Sequence, residues 1–186
     1  MNWNLIGHEW AVTLLQEHVA NHQVRHAYLI TGPQGVGRRT LALRLVQALN
    51  CPTPQAPGVP CLQCRTCRQI EAMQHADLLV IQAEQVGGTL KVDQVRELQH
   101  SLSLAPYESR YKAALLLRFE EANPSAANAL LKTLEEPAAQ AILILTADST
   151  SSLLPTIVSR CEVVRLAPLP LSLVEQGLQE RWQAPA

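Results

Sequence analysis

The sequence predicts an α/β fold: a five-stranded parallel sheet with helices on both faces. Three observations predict it. Short apolar runs alternate with stretches of helical periodicity along the chain. The runs are apolar throughout instead of at every second residue, as strands covered on both faces are. The first run leads into a glycine-rich loop that opens a helix. With 47% apolar and 17% charged residues in 186, the chain is neither disordered nor membrane-spanning. No apolar run approaches the ~18 residues that cross a bilayer. The length suits one full domain with a sizeable core and part of a second.

Residues 9–20 place Val12, Leu15 and Val19 on one helical face. Tyr28 to Thr31 is a short apolar strand, and Leu41, Leu45, Ala48 and Leu49 form the stripe of the next helix. Residues 51–67 hold four prolines and four cysteines, which predicts an irregular insertion. Asp77 to Ile81 reads as a buried strand, and Val92, Val95, Leu98 and Leu102 as a helix. Ala113 to Leu117 is the third strand. Asn123-Pro124 is a cap followed by proline at the first helical position, and that helix packs through Ala126, Leu130, Leu131 and Leu134 before stopping ahead of Pro137. Ala141 to Thr146 and Glu162 to Leu166 complete the sheet. After Pro168 and Pro170, Ser172 and Glu175 have capping-box spacing and predict a helix toward Trp182. Trp3 and Trp10 are expected to pack near the glycine loop.

That loop carries the outline of a phosphate-binding P-loop without its chemistry. Gly32 and Gly37 hold the spacing of G-x-x-x-x-G-K-[ST], with Gly35 between them. Arg38 stands where lysine reaches the outer phosphates, and Arg39 where a hydroxyl binds magnesium. A guanidinium is a bulkier, planar cation that does not replace an ammonium at a tight site. A second cation at Arg39 removes an oxygen ligand that magnesium needs, and Thr40 lies one residue too late to replace it. ATP is therefore not expected to bind. Two arginines at a helix N-terminus nevertheless invite an anion.

Cys51, Cys61, Cys64 and Cys67 follow a C-x9-C-x2-C-x2-C pattern, with Cys161 alone. Four thiolates close a tetrahedral zinc site with no open position, hence a structural one. His75 is expected to be an ordinary exposed histidine and not a fifth ligand. The start, Met1-Asn2-Trp3-Asn4, is no secretory signal, so the cytoplasm is the expected compartment. A net charge of −1 offers no broad attraction to nucleic acid, so contact with DNA would be local or shared.

The segments His26 to Leu29, Gly32 to Gly37, Val92 to Arg96, Asn128 to Pro137 and Leu154 to Cys161 stand in the order found in bacterial clamp-loader subunits. From about Ile6 to Leu166 the chain resembles these AAA+ subunits of the DNA polymerase III holoenzyme, which place the sliding clamp on primed DNA. The resemblance is closest to the gamma/tau and delta-prime types. It implies an AAA+ P-loop fold over 1–168, with a small zinc-binding insertion at 51–67. Residues 169–186 would begin a helical lid domain, so the chain is expected to be a fragment, monomeric in isolation.

The ATPase members end their third strand in an Asp-Glu pair. In this register those positions are Leu117 and Arg118, with Glu120 and Glu121 beyond the strand end. Losing lysine, hydroxyl and both carboxylates removes the protein groups of P-loop phosphoryl transfer. This is the delta-prime pattern: a non-hydrolysing scaffold, not an enzyme by itself, with gamma/tau and delta subunits, the clamp and primed DNA as partners. Ser159-Arg160-Cys161 matches the motif whose arginine enters a neighbour's ATP site, so the resemblance implies that Arg160 is an arginine finger in trans. Thr146-Ala-Asp148 falls at the family's sensor position, with no phosphate expected there to sense. Arg96 lies on a helix facing the family's DNA path, and a solvated helix face is the simpler account. Two rival readings stay open: a gamma/tau-like ATPase using Arg38 with Glu120 or Glu121, and a stand-alone DNA-binding module.

Overall fold

A computed structural model describes the backbone of residues 3–182 and the side chains of residues 3–180. Its elements run α1 (Glu9–Ala20), β1 (Ala27–Thr31), α2 (Arg38–Asn50), α3 (Arg65–Glu71), β2 (Leu78–Ile81), α4 (Val92–Leu102), β3 (Lys112–Leu116), α5 (Pro124–Glu135), β4 (Ala141–Ala147), α6 (Pro155–Val158), β5 (Glu162–Arg165) and α7 (Leu171–Trp182). The five strands lie in the order β2-β3-β4-β1-β5. Every pairing is parallel, with Leu29 opposite both Leu145 and Val163.

Strand side chains alternate between faces, and the core divides accordingly. Tyr28, Ile30, Ala113, Leu115, Ile142 and Ile144 join α1 and α2 in one buried cluster. Ala27, Leu29, Ala114, Leu116, Leu143 and Leu145 join α4 and α5 in the other. Both faces are covered, which is why these strands read as unbroken apolar runs. No helix among the described residues is long and apolar enough to cross a membrane.

Several expectations hold to the residue. The 9–20 helix and the 92–102 helix have the predicted bounds. Asn123 caps α5 by accepting the Ala126 N–H at 2.7 Å. Others are corrected. The cysteine insertion is not irregular to its end, because α3 begins at Arg65 and takes Cys67 into its first turn. Ser172 lies inside α7 and does not cap it; the helix starts on the Pro170 carbonyl, which accepts from Leu173 and Val174. Trp10 is 51% exposed on α1 and is not a core residue. Trp3 is buried, and its indole donates to the Gly58 carbonyl at 2.9 Å, in the insertion.

His75 is likewise buried, not exposed. Its Nδ1 accepts the Asp77 N–H at 3.1 Å, and its Nε2 faces Glu108 at 3.4 Å. Beside it, the buried Asp77 carboxylate accepts three successive backbone N–H groups, from Tyr107, Glu108 and Ser109, at 2.6, 2.9 and 2.9 Å. This fixes the loop that leads into β3. Burial alone pushes the Asp77 carboxyl up, but the three donors outweigh it and leave it below its ordinary value.

A lowered folded-state pKa contributes stability above the unfolded value of about 3.9, lost as pH falls through the folded one. Asp77→Ala is expected to cost roughly 2 kcal/mol in chemical denaturation at neutral pH, because it removes the buried carboxylate that holds three backbone N–H groups of the loop. The gap between the two proteins should narrow below about pH 4; a gap that stays constant into acid would contradict this account.

Candidate functional site

In a parallel sheet the carboxyl ends of the strands open on one edge, and ligands bind where the strand order reverses. Here that edge gathers the ends of β1, β3 and β4. Gly32 leaves β1 with its N–H on the Ala147 carbonyl at 3.3 Å, while Leu166 N–H donates to the Thr31 carbonyl at 2.7 Å. A Cβ on Gly32 would lie 2.4 Å from the Leu166 oxygen, so only glycine fits between the strand ends. Gly37, at φ 100°, turns the chain into α2 in a conformation that side chains disfavour. The loop therefore keeps the backbone form of a phosphate cradle.

Its side chains do something else. Arg38 is buried, and its guanidinium meets Asp148, just past β4, at 2.7 Å. The cation in the lysine position thus already has an internal anion. Glu120 adds a second carboxyl: one of its oxygens is buried without a hydrogen-bond partner among the described residues. Burial, with the Asp148 carboxylate alongside, raises the Glu120 carboxyl above its ordinary value, against the opposing pull of Arg38. The expectation of two arginines open to an anion is corrected. Arg38 is committed to Asp148, and only Arg39 is exposed, with no partner among the described residues. Thr40 is half-buried on the wall of two cavities, of about 430 and 780 Å³, on either side of the loop. Gly35 lines both. The larger also touches Leu5, Ile6, Arg44, Leu169 and Val174, so the N-terminal segment and α7 wall the side away from Asp148.

No carboxylate stands at the end of β3. Leu117 is buried and continues the pairing, donating to the Ile81 carbonyl at 2.8 Å. Arg118 has a left-handed backbone, gives its N–H to Thr146 Oγ1 at 3.0 Å, and turns its side chain to Glu121 at 3.0 Å. Glu121 Oε1 is thereby engaged, while its Oε2 is buried without a hydrogen-bond partner among the described residues. The strand count that put Leu117 and Arg118 at these positions agrees with the structure; Glu120 folding back toward Asp148 is beyond what counting could reveal. Arg96 pairs with Asp93 on an exposed helix face.

The four cysteines converge. Cys51, Cys61, Cys64 and Cys67 have sulfurs all within 4.8 Å of one another, and this cluster can hold a metal ion. Cys51–Cys61 and Cys61–Cys67 sulfur separations are 3.5 and 4.0 Å. A tetrahedron of thiolates at about 2.3 Å from zinc has sulfurs about 3.8 Å apart, so the donor set suits zinc. The sulfurs also accept backbone N–H groups, Cys61 to Cys51, Cys64 to Cys61 and Cys67 to Cys64, at 3.3–3.4 Å. Burial raises the Cys61 thiol, but donors from Gln63, Thr53 and Cys64 reverse this and bring it to about 6. The His75 ring is engaged elsewhere and takes no part.

Arg160 follows α6, at the far end of the Leu154–Cys161 segment. Its side chain is 35% exposed, with one guanidinium nitrogen on the Thr156 carbonyl at 2.9 Å and the other on Glu135 Oε1 at 2.7 Å. Glu135 was not singled out from the sequence. Its only signal there is its place in the Asn128–Pro137 segment, and only folding brings it to Arg160.

The family described as DNA polymerase III, delta subunit, matches residues 7–170. The DNA polymerase III subunit delta' of Pseudomonas aeruginosa is 40% identical over 161 residues, covering 87% of this chain and 48% of that protein. The delta' subunit of Bacillus subtilis is 34% identical over 172 residues, 92% of this chain and 51% of its own length. The tau subunit of Escherichia coli is 33% identical over 176 residues, 95% of this chain and 27% of its own. Among solved structures, a DNA polymerase III gamma subunit-related protein from Thermotoga maritima superposes with a TM-score of 0.68 at 24% identity, covering 91% of this chain and 49% of that one. The Thermotoga maritima RuvB Holliday junction branch migration motor gives 0.59 at 16% identity, over 94% and 50%. These likenesses show the AAA+ P-loop fold. The chain spans about half the length of the curated delta' relatives it matches. With the family matched from residue 7 to residue 170 and delta' relatives at 34–40% identity across most of its length, the chain belongs to the DNA polymerase III delta subunit family, and to its delta' type.

Proposed function

We propose that the chain is the AAA+ part of a non-hydrolysing clamp-loader subunit, a scaffold that holds a neighbouring ATPase subunit and presents Arg160 to that neighbour's ATP. The observation that carries this reading is the Arg38–Asp148 pair. A phosphate entering the cradle would have to displace the Asp148 carboxylate, itself 61% exposed, from a buried guanidinium that needs an anion beside it. Even a seated triphosphate would meet Leu117 and Arg118 where magnesium and water need carboxylates. Arg160 supports the positive half of the reading. It is half-buried, doubly anchored and still accessible, as a fixed cation aimed out of its own subunit must be. Residues 169–182 are then the first helix of a lid domain. Gamma/tau and delta subunits, the sliding clamp and primed DNA are the partners this role requires.

The cysteine cluster serves as a structural zinc site within this scaffold. Bound zinc would cross-link the insertion through four thiolates and leave no position open for chemistry. The Cys67 carbonyl accepts from Gln47 of α2 at 2.7 Å, which ties the insertion to the helix that carries the loop.

Elemental analysis is expected to find one zinc per chain, and its removal by a chelator to lower the melting temperature; a folded, metal-free protein of unchanged stability would refute the site. Calorimetric titration should detect no ATP binding up to millimolar concentration. Arg38→Lys combined with Arg39→Thr should still give no hydrolysis, since no carboxylate stands at the end of β3; turnover in that variant would favour a gamma/tau-like ATPase using Glu120. In the assembled loader, Arg160→Ala should slow clamp-stimulated ATP turnover by ~10³-fold or more while assembly persists, and unchanged turnover would remove the finger.

A further inference from the structure

We propose that Glu135 is the positioning residue for Arg160, setting the plane of its guanidinium for a phosphate carried by the adjoining subunit. This rests on the trans-acting role proposed for Arg160. Glu135 ends α5, and Arg160 follows α6, so the contact joins two elements separated by β4 in the chain. Two acceptors, Glu135 Oε1 at 2.7 Å and the Thr156 carbonyl at 2.9 Å, hold different nitrogens of the same fork. One acceptor would leave a flexible side chain free to swing. Two define the plane of the fork, and a guanidinium has more N–H donors than these two acceptors use.

The location adds to the effect. The last turn of α5 carries the negative end of the helix dipole, which attracts a cation. An isolated pair this exposed would add little to stability, since solvent screens it and the long side chains lose freedom. Its consequence is orientation. A group that stabilises a transition state acts only if it is held in place before the charge develops. The pair differs from Arg38–Asp148 in this respect. Arg38 is 9% exposed and closed off by its partner, whereas Arg160 is 35% exposed and remains reachable.

The test uses the full-length subunit assembled with its ATPase partners and reads clamp-stimulated ATP turnover. Glu135→Ala should lower kcat roughly tenfold, part of the ~10³–10⁵ that a finger supplies, and leave KM for ATP unchanged. Assembly and thermal stability should be retained. Glu135→Gln, which keeps an acceptor oxygen, should recover most of the loss. In an Arg160→Ala background, Glu135→Ala should cause no further loss, because its effect passes through the arginine. If Arg160→Ala slows turnover and Glu135→Ala does not, the positioning role is overturned while the finger stands. The same holds if the two losses add in full. If Arg160→Ala has no effect, the finger itself fails and the positioning role falls with it.

Discussion

The confinement of β1 governs the functional edge of this protein. All five of its residues are buried, it lies between β4 and β5, and helices cover both its faces. A strand enclosed this way cannot shift its register without dragging apolar side chains from one core to the other. Its carboxyl end is therefore a fixed point. The Gly32 N–H on Ala147 and the Thr31 carbonyl under Leu166 tie three chain ends together there. The residue after Ala147 is Asp148, so the sheet delivers a carboxylate to the mouth of the phosphate loop.

Electrostatics then decides what the loop becomes. A buried guanidinium must be paired, and Arg38 stands at the position from which a P-loop cation reaches phosphate. Here the cation meets Asp148 instead, and Glu120 is pressed against the same carboxylate with its acid form favoured by burial. The fold has retained the cradle and supplied the anion from within. Arg160 is treated in the opposite way, with a carboxylate and a carbonyl that orient its fork without burying it. One molecule thus holds two arginines by similar chemistry, and solvent exposure separates them.

The cysteine insertion belongs to the same construction. Trp3 donates to Gly58, Gln47 donates to Cys67, and Arg44 gives its Nε to the Trp3 carbonyl while pairing with Glu71 of α3. These contacts lace the N-terminal segment, the insertion and α2 into one body behind the phosphate loop. Four clustered sulfurs alone would leave the insertion a loose knot. The polar links make it a brace for the helix whose N-terminus forms the cradle.

Local patterns determined most of the architecture. Unbroken apolar runs of four or five residues read as strands covered by helices, and the spacing of Val92, Val95, Leu98 and Leu102 as one face of a helix. Glycine spacing marked the loop, cysteine spacing the sulfur cluster, and Asn123-Pro124 the start of α5, because each depends on neighbours a few residues away. What depends on distant neighbours was decided only by the tertiary structure. No local pattern marks His75 for burial; folding sets it against Asp77 and Glu108. Trp10 is expected from the sequence to pack, but its position on α1 leaves it 51% exposed. Asp148 and Glu135 are ordinary acidic residues in the sequence, 110 and 25 positions from the arginines they engage. A pairing across that distance leaves no periodic trace, since it is set by which strand ends and helix ends the sheet order brings together.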